Sequence, residues 1–306
     1  MPAPKRLLGR TPARYDSRVR RLSMFYDALT LPPPPEKVDW TKGIKAWGAM
    51  RNDVRGCCTI SALGHMIQAW TANLRGTPTT VPDSAIDTAY DAVKIGMDGG
   101  ANMLDALNYY AKTGIGGHKD IGYVAVNLND LPECKAALYI FGGTYVGVGL
   151  PSSASTQLNK KAIWDIPAGQ KLTGSWAPGS WGGHAMSVVA YGPNGVGFVT
   201  WGAVQWCTWR WWQTYVVRAE SELYALISSP DDWWDSATLM AANNIDYRSL
   251  RNNLADIAGK PRPYPDPVPV PVPTPPPEPP PTPGQSIKVS VLVNTTTFEG
   301  TIFPKV

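Results

Sequence analysis

"RNDVRGCCTISALGHMIQAW", residues 51–70, holds two adjacent cysteines behind a glycine, at the head of a stretch with helical periodicity. Ile60, Leu63, Ile67, Trp70 and Leu74 recur at the three- and four-residue steps that line one helix face. Cys58 stands where that stripe begins. A helix N-terminus favours a thiolate, because its backbone N–H groups have no intrahelical partners and the macrodipole is positive there. The competing reading is a small apolar residue opening a core helix, a common place for free cysteine. A nucleophilic thiol also needs an imidazole to take its proton and return it to the leaving group. His65 lies on the same helix and cannot reach back to its start. His118, in the glycine-rich "GIGGHKD" (114–120), reads as a surface loop residue. His184 follows "GSWGG" (179–183) and opens a strand, from which a ring can face a cleft. Cys58 and His184 are the candidate nucleophile and base.

Helix signals continue downstream in "VPDSAIDTAYDAVKIGM" (81–97), "NMLDALNYYAKTG" (102–114, with Gly114 as C-cap) and "LPECKAALYIF" (131–141). Strand signals follow in "TYVGVGL" (144–150), then "HAMSVVAYG" (184–192) and "VGFVTWG" (196–202), joined by a Pro-Asn-Gly turn. Helices first and antiparallel strands later predict an α+β fold, a helical half and a β half. The tryptophan-rich "WGAVQWCTWRWW" (201–212) reads as core packing of the β half in preference to a stacking platform for a ligand, and "DDWWD" (231–235) as a loop or helix start.

Four segments are expected: a basic arm over 1–33, a main domain over 34–259, a proline-rich linker over 260–284 and a C-terminal β segment over 285–306. Proline at nearly every second position of the linker favours polyproline II, a stiff spacer on the order of 70 Å long. Beyond it Ile287, Val289, Val291 and Val293 alternate as a strand does, in a segment too short to build its own core. Such a strand suits docking onto a protein partner.

The 306 residues carry a net charge of +4, and 43% are hydrophobic. Residues 1–30 hold seven lysines and arginines against two aspartates, which leaves the rest near neutral. No nucleic-acid motif accompanies that arm, so it reads as a solvated extension and not as a nucleic-acid contact. No apolar run suggests a signal peptide or a membrane span, and four cysteines do not make a disulfide framework in a chain this long. A cytoplasmic or virion-associated location is expected. Adjacent Cys57 and Cys58 lack the gap that lets two thiolates reach one zinc ion, so no metal and no cofactor is expected.

The motifs together resemble the papain-like cysteine peptidases. "PPEKVDW" (34–40) looks like the start of their mature chains. "NDVRGCCTISA" (52–62) is similar to their Gln-x-x-Cys-Gly-Ser-Cys-Trp-Ala-Phe motif, with Cys58 on the nucleophile and Asn52 on the oxyanion glutamine. "GGHAMSVVAYG" (182–192) resembles the segment of the catalytic histidine, matched by His184, and "VTWG" (199–202) the Asn-Ser-Trp-Gly motif after it. "GGANMLDALNYYAKTGI" (99–115) and "GGTYVGVGL" (142–150) look like the family's middle helix and next strand. The match runs in order over about residues 34–218, and it is also similar to papain-like proteins of tailed phages and bacteria.

The resemblance implies a papain-like two-part fold and hydrolysis of peptide or protein substrates at an amide bond. Its departures are specific. Asn52 is one methylene shorter than glutamine, Arg55 replaces a disulfide cysteine, and Cys57 has no family role. The histidine-orienting asparagine falls on Thr200, whose hydroxyl can accept a ring N–H, or on Val199, which cannot. The arm ahead of residue 34 is too short for an inhibitory propeptide. The alternative is a catalytically degenerate papain-fold structural or interaction protein, for example a phage virion component.

Overall fold

The computed structural model describes residues 6–26, 33–257, 260–265, 287–293 and 296–302. The chain forms two compact units, Met1–Asp266 and Pro267–Val306. In order, the first contains α1 (Ser23–Tyr26), β1 (Val38–Asp39), α2 (Cys58–Arg75), α3 (Asp83–Val93), α4 (Met103–Lys112), β2 (Asp120–Ala125), α5 (Leu131–Phe141), β3 (Thr144–Leu150) and α6 (Ser152–Asn159). Then follow β4 (Gly182–Gly192), β5 (Gly195–Thr200), β6 (Ala203–Thr208), α7 (Trp209–Trp211) with a π-turn over Trp212–Val216, β7 (Glu222–Ser228) and α8 (Tyr247–Ile257).

α2 is the central helix. Cys58 through Ala72 are all buried, so the apolar stripe read from the sequence faces one neighbour and the polar residues between face others. Those polar groups find internal partners: Ser61 Oγ donates to Met50 O (2.7 Å), Gln68 Nε2 to Thr80 Oγ1 (2.9 Å), and His65 Nε2 pairs with Gly48 O (2.9 Å). His65 is thus a packed helix residue. The helix stops at Gly76, whose φ of 75° is left-handed and whose N–H bonds Ala72 O.

The sheet is antiparallel, in the order β2-β7-β3-β4-β5-β6, with β1 pairing with β4 as well. β4 is its axis, in register with β3 from Thr144↔Val188 to Leu150↔Gly182 and with β5 across the predicted turn. α2 lies on β4, where Ser187 Oγ donates to Ala62 O (2.6 Å), so the first turns of the helix meet the middle of the strand. Trp164, Trp211, Trp212 and Phe198 stack in the β half, as the tryptophan-rich stretch predicts. Helical half and antiparallel sheet bear out the α+β reading.

Two expectations change. His118 is not a surface residue: its Nδ1 meets Asp232 Oδ1 at 2.7 Å and the side chain is mostly buried. The C-terminal segment is not a lone strand, since β8 (Ile287–Val293) pairs antiparallel with β9 (Thr296–Ile302), in register from Ile287↔Ile302 to Val293↔Thr296. The linker from Asp266 onward lies outside the described residues. Among those described, no helix is long and apolar enough to cross a membrane.

Candidate active site

Cys58 is the first residue of α2 and its side chain is buried, with the residue 1% exposed. Burial pushes its thiol up to about 11, while the backbone amides of Ala185 and Gly9 and the charge of Arg10 pull the other way. Cys57 caps the helix, with its sulfur 3.3 Å from Ser61 Oγ, and burial pushes it up to about 12.

His184 precedes Ala185 on β4, so the strand that touches the sulfur carries the imidazole. Its Nε2 lies 2.7 Å from Thr200 Oγ1. Thr200, not Val199, is therefore the ring's neighbour; Val199 packs in a small cluster with Trp47, Ala69 and Val189. With Nε2–H donating to the threonine, Nδ1 carries the lone pair, and Nδ1 has no hydrogen-bond partner among the described residues. Trp201 stacks on the imidazole at 4.1 Å and 11°, and Trp181 stacks on Trp201. Trp201 reaches that position from a left-handed backbone (φ 44°) at the β5–β6 turn, a strained conformation held by the Gly48↔Gly202 bridge. His184 is fully buried, which pushes its ring down to about 3, so the imidazole rests neutral, and no hydrogen bond joins its Nδ1 to the Cys58 thiol.

Asn52 is buried, and its Nδ2 donates to Leu7 O (3.1 Å) and Arg55 O (3.2 Å). Trp201 Nε1 donates to the same Leu7 oxygen at 3.1 Å. Two side-chain donors thus converge on one peptide carbonyl beside the cysteine helix.

That carbonyl belongs to the N-terminal arm, which is not a solvated extension. Gly9 O accepts from Ala101 N (2.7 Å), Arg10 N donates to Gly183 O (3.1 Å) and Thr11 N to Ala101 O (3.1 Å). The arm therefore bridges the loop before α4 and the start of β4, crossing above Cys58 and His184. Gly9 is in close approach: a Cβ there would lie 1.7 Å from Gly56 O. The N–H of Gly9 faces the sulfur, and the Gly9 carbonyl accepts from Ala101 N. Five residues, Leu7 to Thr11, make these contacts along the starts of α2 and β4. A groove of about 890 Å³ by Tyr123, Arg251 and Lys260 lies elsewhere on the molecule.

The side chain of Arg10 enters a buried pocket. Its NH2 group donates to Glu222 Oε1 (2.7 Å) and Glu220 O (2.7 Å), and Nε reaches the same Oε1 at 3.1 Å. Tyr224 OH donates to Glu222 Oε2 (2.9 Å). Sequence reasoning missed Arg10 and Glu222. The one available signal is a carboxylate opening the apolar run "ELYALIS" (222–228). Among the described residues no three His, Cys, Asp or Glu side chains gather as a metal site.

By sequence, no family model and no curated protein matches the chain. By structure, it is similar to xylellain, a cysteine protease from Xylella fastidiosa, with a TM-score of 0.53 and 17% identity over 74% of this chain and 98% of that one. It also matches procathepsin B S9 from Trypanosoma congolense (TM-score 0.48, 13% identity, covering 72% and 87%) and the bromelain protease from Ananas comosus (0.41, 11%, 63% and 99%). The fold is papain-like.

Proposed function

We propose that the protein is a papain-like cysteine hydrolase of peptide or related amide bonds, closed at rest by its own N-terminal arm. The observation that carries this reading is the imidazole of His184, clamped between Thr200 and Trp201 with Nδ1 unbonded, next in the strand to the residue whose backbone touches the Cys58 sulfur. In the reaction Cys58 Sγ attacks the substrate carbonyl carbon and His184 Nδ1 takes the thiol proton. The Cys58 N–H and Asn52 Nδ2 receive the developing oxyanion, as Asn52 now receives the Leu7 carbonyl. His184 then protonates the leaving amine, and as base activates the water that cleaves the thioester. Displacing the arm rehydrates both groups, which lowers the thiol and raises the imidazole toward their ordinary values.

The test is a thiol-directed covalent probe read by peptide mass, alongside peptide hydrolysis. Label on Cys58, with hydrolysis lost in Cys58→Ala and His184→Ala but kept in Cys57→Ser, supports the assignment. Equal loss from both cysteine substitutions would show the register to be wrong.

A second reading, a catalytically silent papain-fold interaction protein, is favoured by the complete burial of thiol and imidazole. A third element fits either: the separate unit beyond Asp266 tethers the domain to a larger assembly, of which a phage or bacterial particle is one kind.

A further inference from the structure

We propose that His65 is a positioning residue for the imidazole of His184: from the middle of α2 it pins the Gly48 backbone, and Gly48 holds the turn whose Thr200 and Trp201 clamp the ring. Its meaning for catalysis rests on the hydrolase reading above. Two contacts in series carry the inference. His65 Nε2 lies 2.9 Å from Gly48 O, and a carbonyl oxygen only accepts, so the ring donates from Nε2–H. Gly48 then pairs antiparallel with Gly202, the residue after Trp201. The approach is close: a Cβ on Gly202 would stand 3.0 Å from the Gly48 carbonyl carbon and 3.1 Å from its oxygen.

The loop needs this anchor. Residues 41–49 form no helix or strand, and Gly48 is exposed with a left-handed φ of 69°. Backbone of that kind samples several positions unless something buried fixes it. His65 is buried, and Trp47 meets its ring edge-on at 6.0 Å and 77° while packing with Ala69, Val189 and Val199. The anchor is therefore itself held. On the far side of the bridge, Thr200 Oγ1 and Trp201 both contact the His184 ring, so a shift of the turn moves both at once. Trp201 has the more to lose, because its left-handed backbone (φ 44°) is costly for a large side chain and relaxes if released. The arrangement also sets thiol against ring. Cys58 opens α2 and His65 follows it by seven residues, two turns or about 10 Å along one axis. One rigid helix thus carries the sulfur at its end and, further along, the support of the imidazole. The bond from Ser187 to Ala62 fixes the backbone of β4 on that helix but leaves the tilt of the ring to the turn.

The experiment uses the full chain with isotope-labelled histidine rings, whose three residues give few signals in a nuclear magnetic resonance spectrum. Stacking on Trp201 should place the carbon-bound ring protons of His184 upfield of ordinary histidine values. His65→Phe keeps a ring against Trp47 and deletes the donor, whereas His65→Gln keeps a donor and deletes the ring. The upfield shift should collapse in His65→Phe and persist in His65→Gln, with His118→Gln as the unaffected control. Any other pattern, loss in both or in neither included, leaves His65 a packing residue and overturns the proposal. If His65→Phe does not fold, the wild type decides on warming below its unfolding transition. There the His184 shift and the His65 Nε2–H signal should be lost together, and a shift that outlasts that proton overturns the proposal. In peptide hydrolysis, kcat should fall on the order of 10²-fold in His65→Phe at unchanged KM and largely recover in His65→Gln. Hydrolysis indifferent to His65→Phe overturns the proposal and leaves the hydrolase reading standing. The expected shifts in a wild-type chain that hydrolyses no peptide sink the hydrolase reading and keep His65 as the support of the ring.

Discussion

Thr200 and Asp120 show at single residues how burial sets the behaviour of this protein. Thr200 Oγ1 partners a buried ring nitrogen, so Thr200→Val leaves the Nε2–H of His184 without an acceptor. That should cost about 1–3 kcal/mol in denaturant unfolding and should lower turnover, while Thr200→Ser restores both. Asp120 is buried on β2 with neither carboxylate oxygen partnered, and burial pushes it up to about 7. Its folded value exceeds its unfolded one, so the stability it contributes is full below about pH 4 and is lost as pH rises through 7. Asp120→Asn should therefore gain on the wild type progressively from pH 4 to 7 and hold a constant lead above it, on the order of 4 kcal/mol. A lead that does not change with pH would show that Asp120 is not the titrating group. His184, read from sequence as a ring at a cleft edge, is fully buried under Trp201, so His184→Ala removes core contacts as well as the proposed base.

Among the elements, those carrying a local signal were legible and those defined by their neighbours were not. α5 runs over the residues its pattern marks, opened by Asp130 accepting from Glu133 N and closed by left-handed Gly142. β3 matches its alternation-bounded run, and β4 and β5 meet at the Pro-Asn-Gly turn. β7 was missed because every residue in it is buried on both faces, which erases the alternation a half-exposed strand shows. β6 hid inside the tryptophan cluster, and α6, rich in serine, carries almost no apolar stripe. Of the candidate site, the ordered motifs led to Cys58 at the head of α2, His184 on β4 beside Thr200, and buried Asn52. Arg10 and Glu222 were not legible, because 212 positions separate them and nothing local announces a buried pair. The end of α2 offers a clean test. Gly76 has φ 75° and no atom within 4 Å of where a Cβ would stand, so Gly76→Ala meets only conformational strain. It should cost about 1–2 kcal/mol in melting or denaturant titration, and Gly76→Asn less.

At the scale of the whole molecule, the two units are covalently joined and separately compact. Ending the chain after Asp266 should leave the melting temperature nearly unchanged and should abolish any co-sedimentation with a larger assembly. A truncated chain that unfolds would mean the hairpin belongs to the core of the first unit. The arm has a consequence of another kind, because it is tethered to the site it fills. An intramolecular ligand acts at an effective concentration set by its tether, on the order of millimolar for a short one. Its occupancy does not change on dilution, and every external ligand is weakened by the same constant factor. One cut in the chain between Tyr26 and Val38 turns the arm into an ordinary dissociable peptide. Cys58 alkylation in the uncut protein should then proceed at a rate independent of protein concentration, whereas in the nicked protein it should speed up with each dilution.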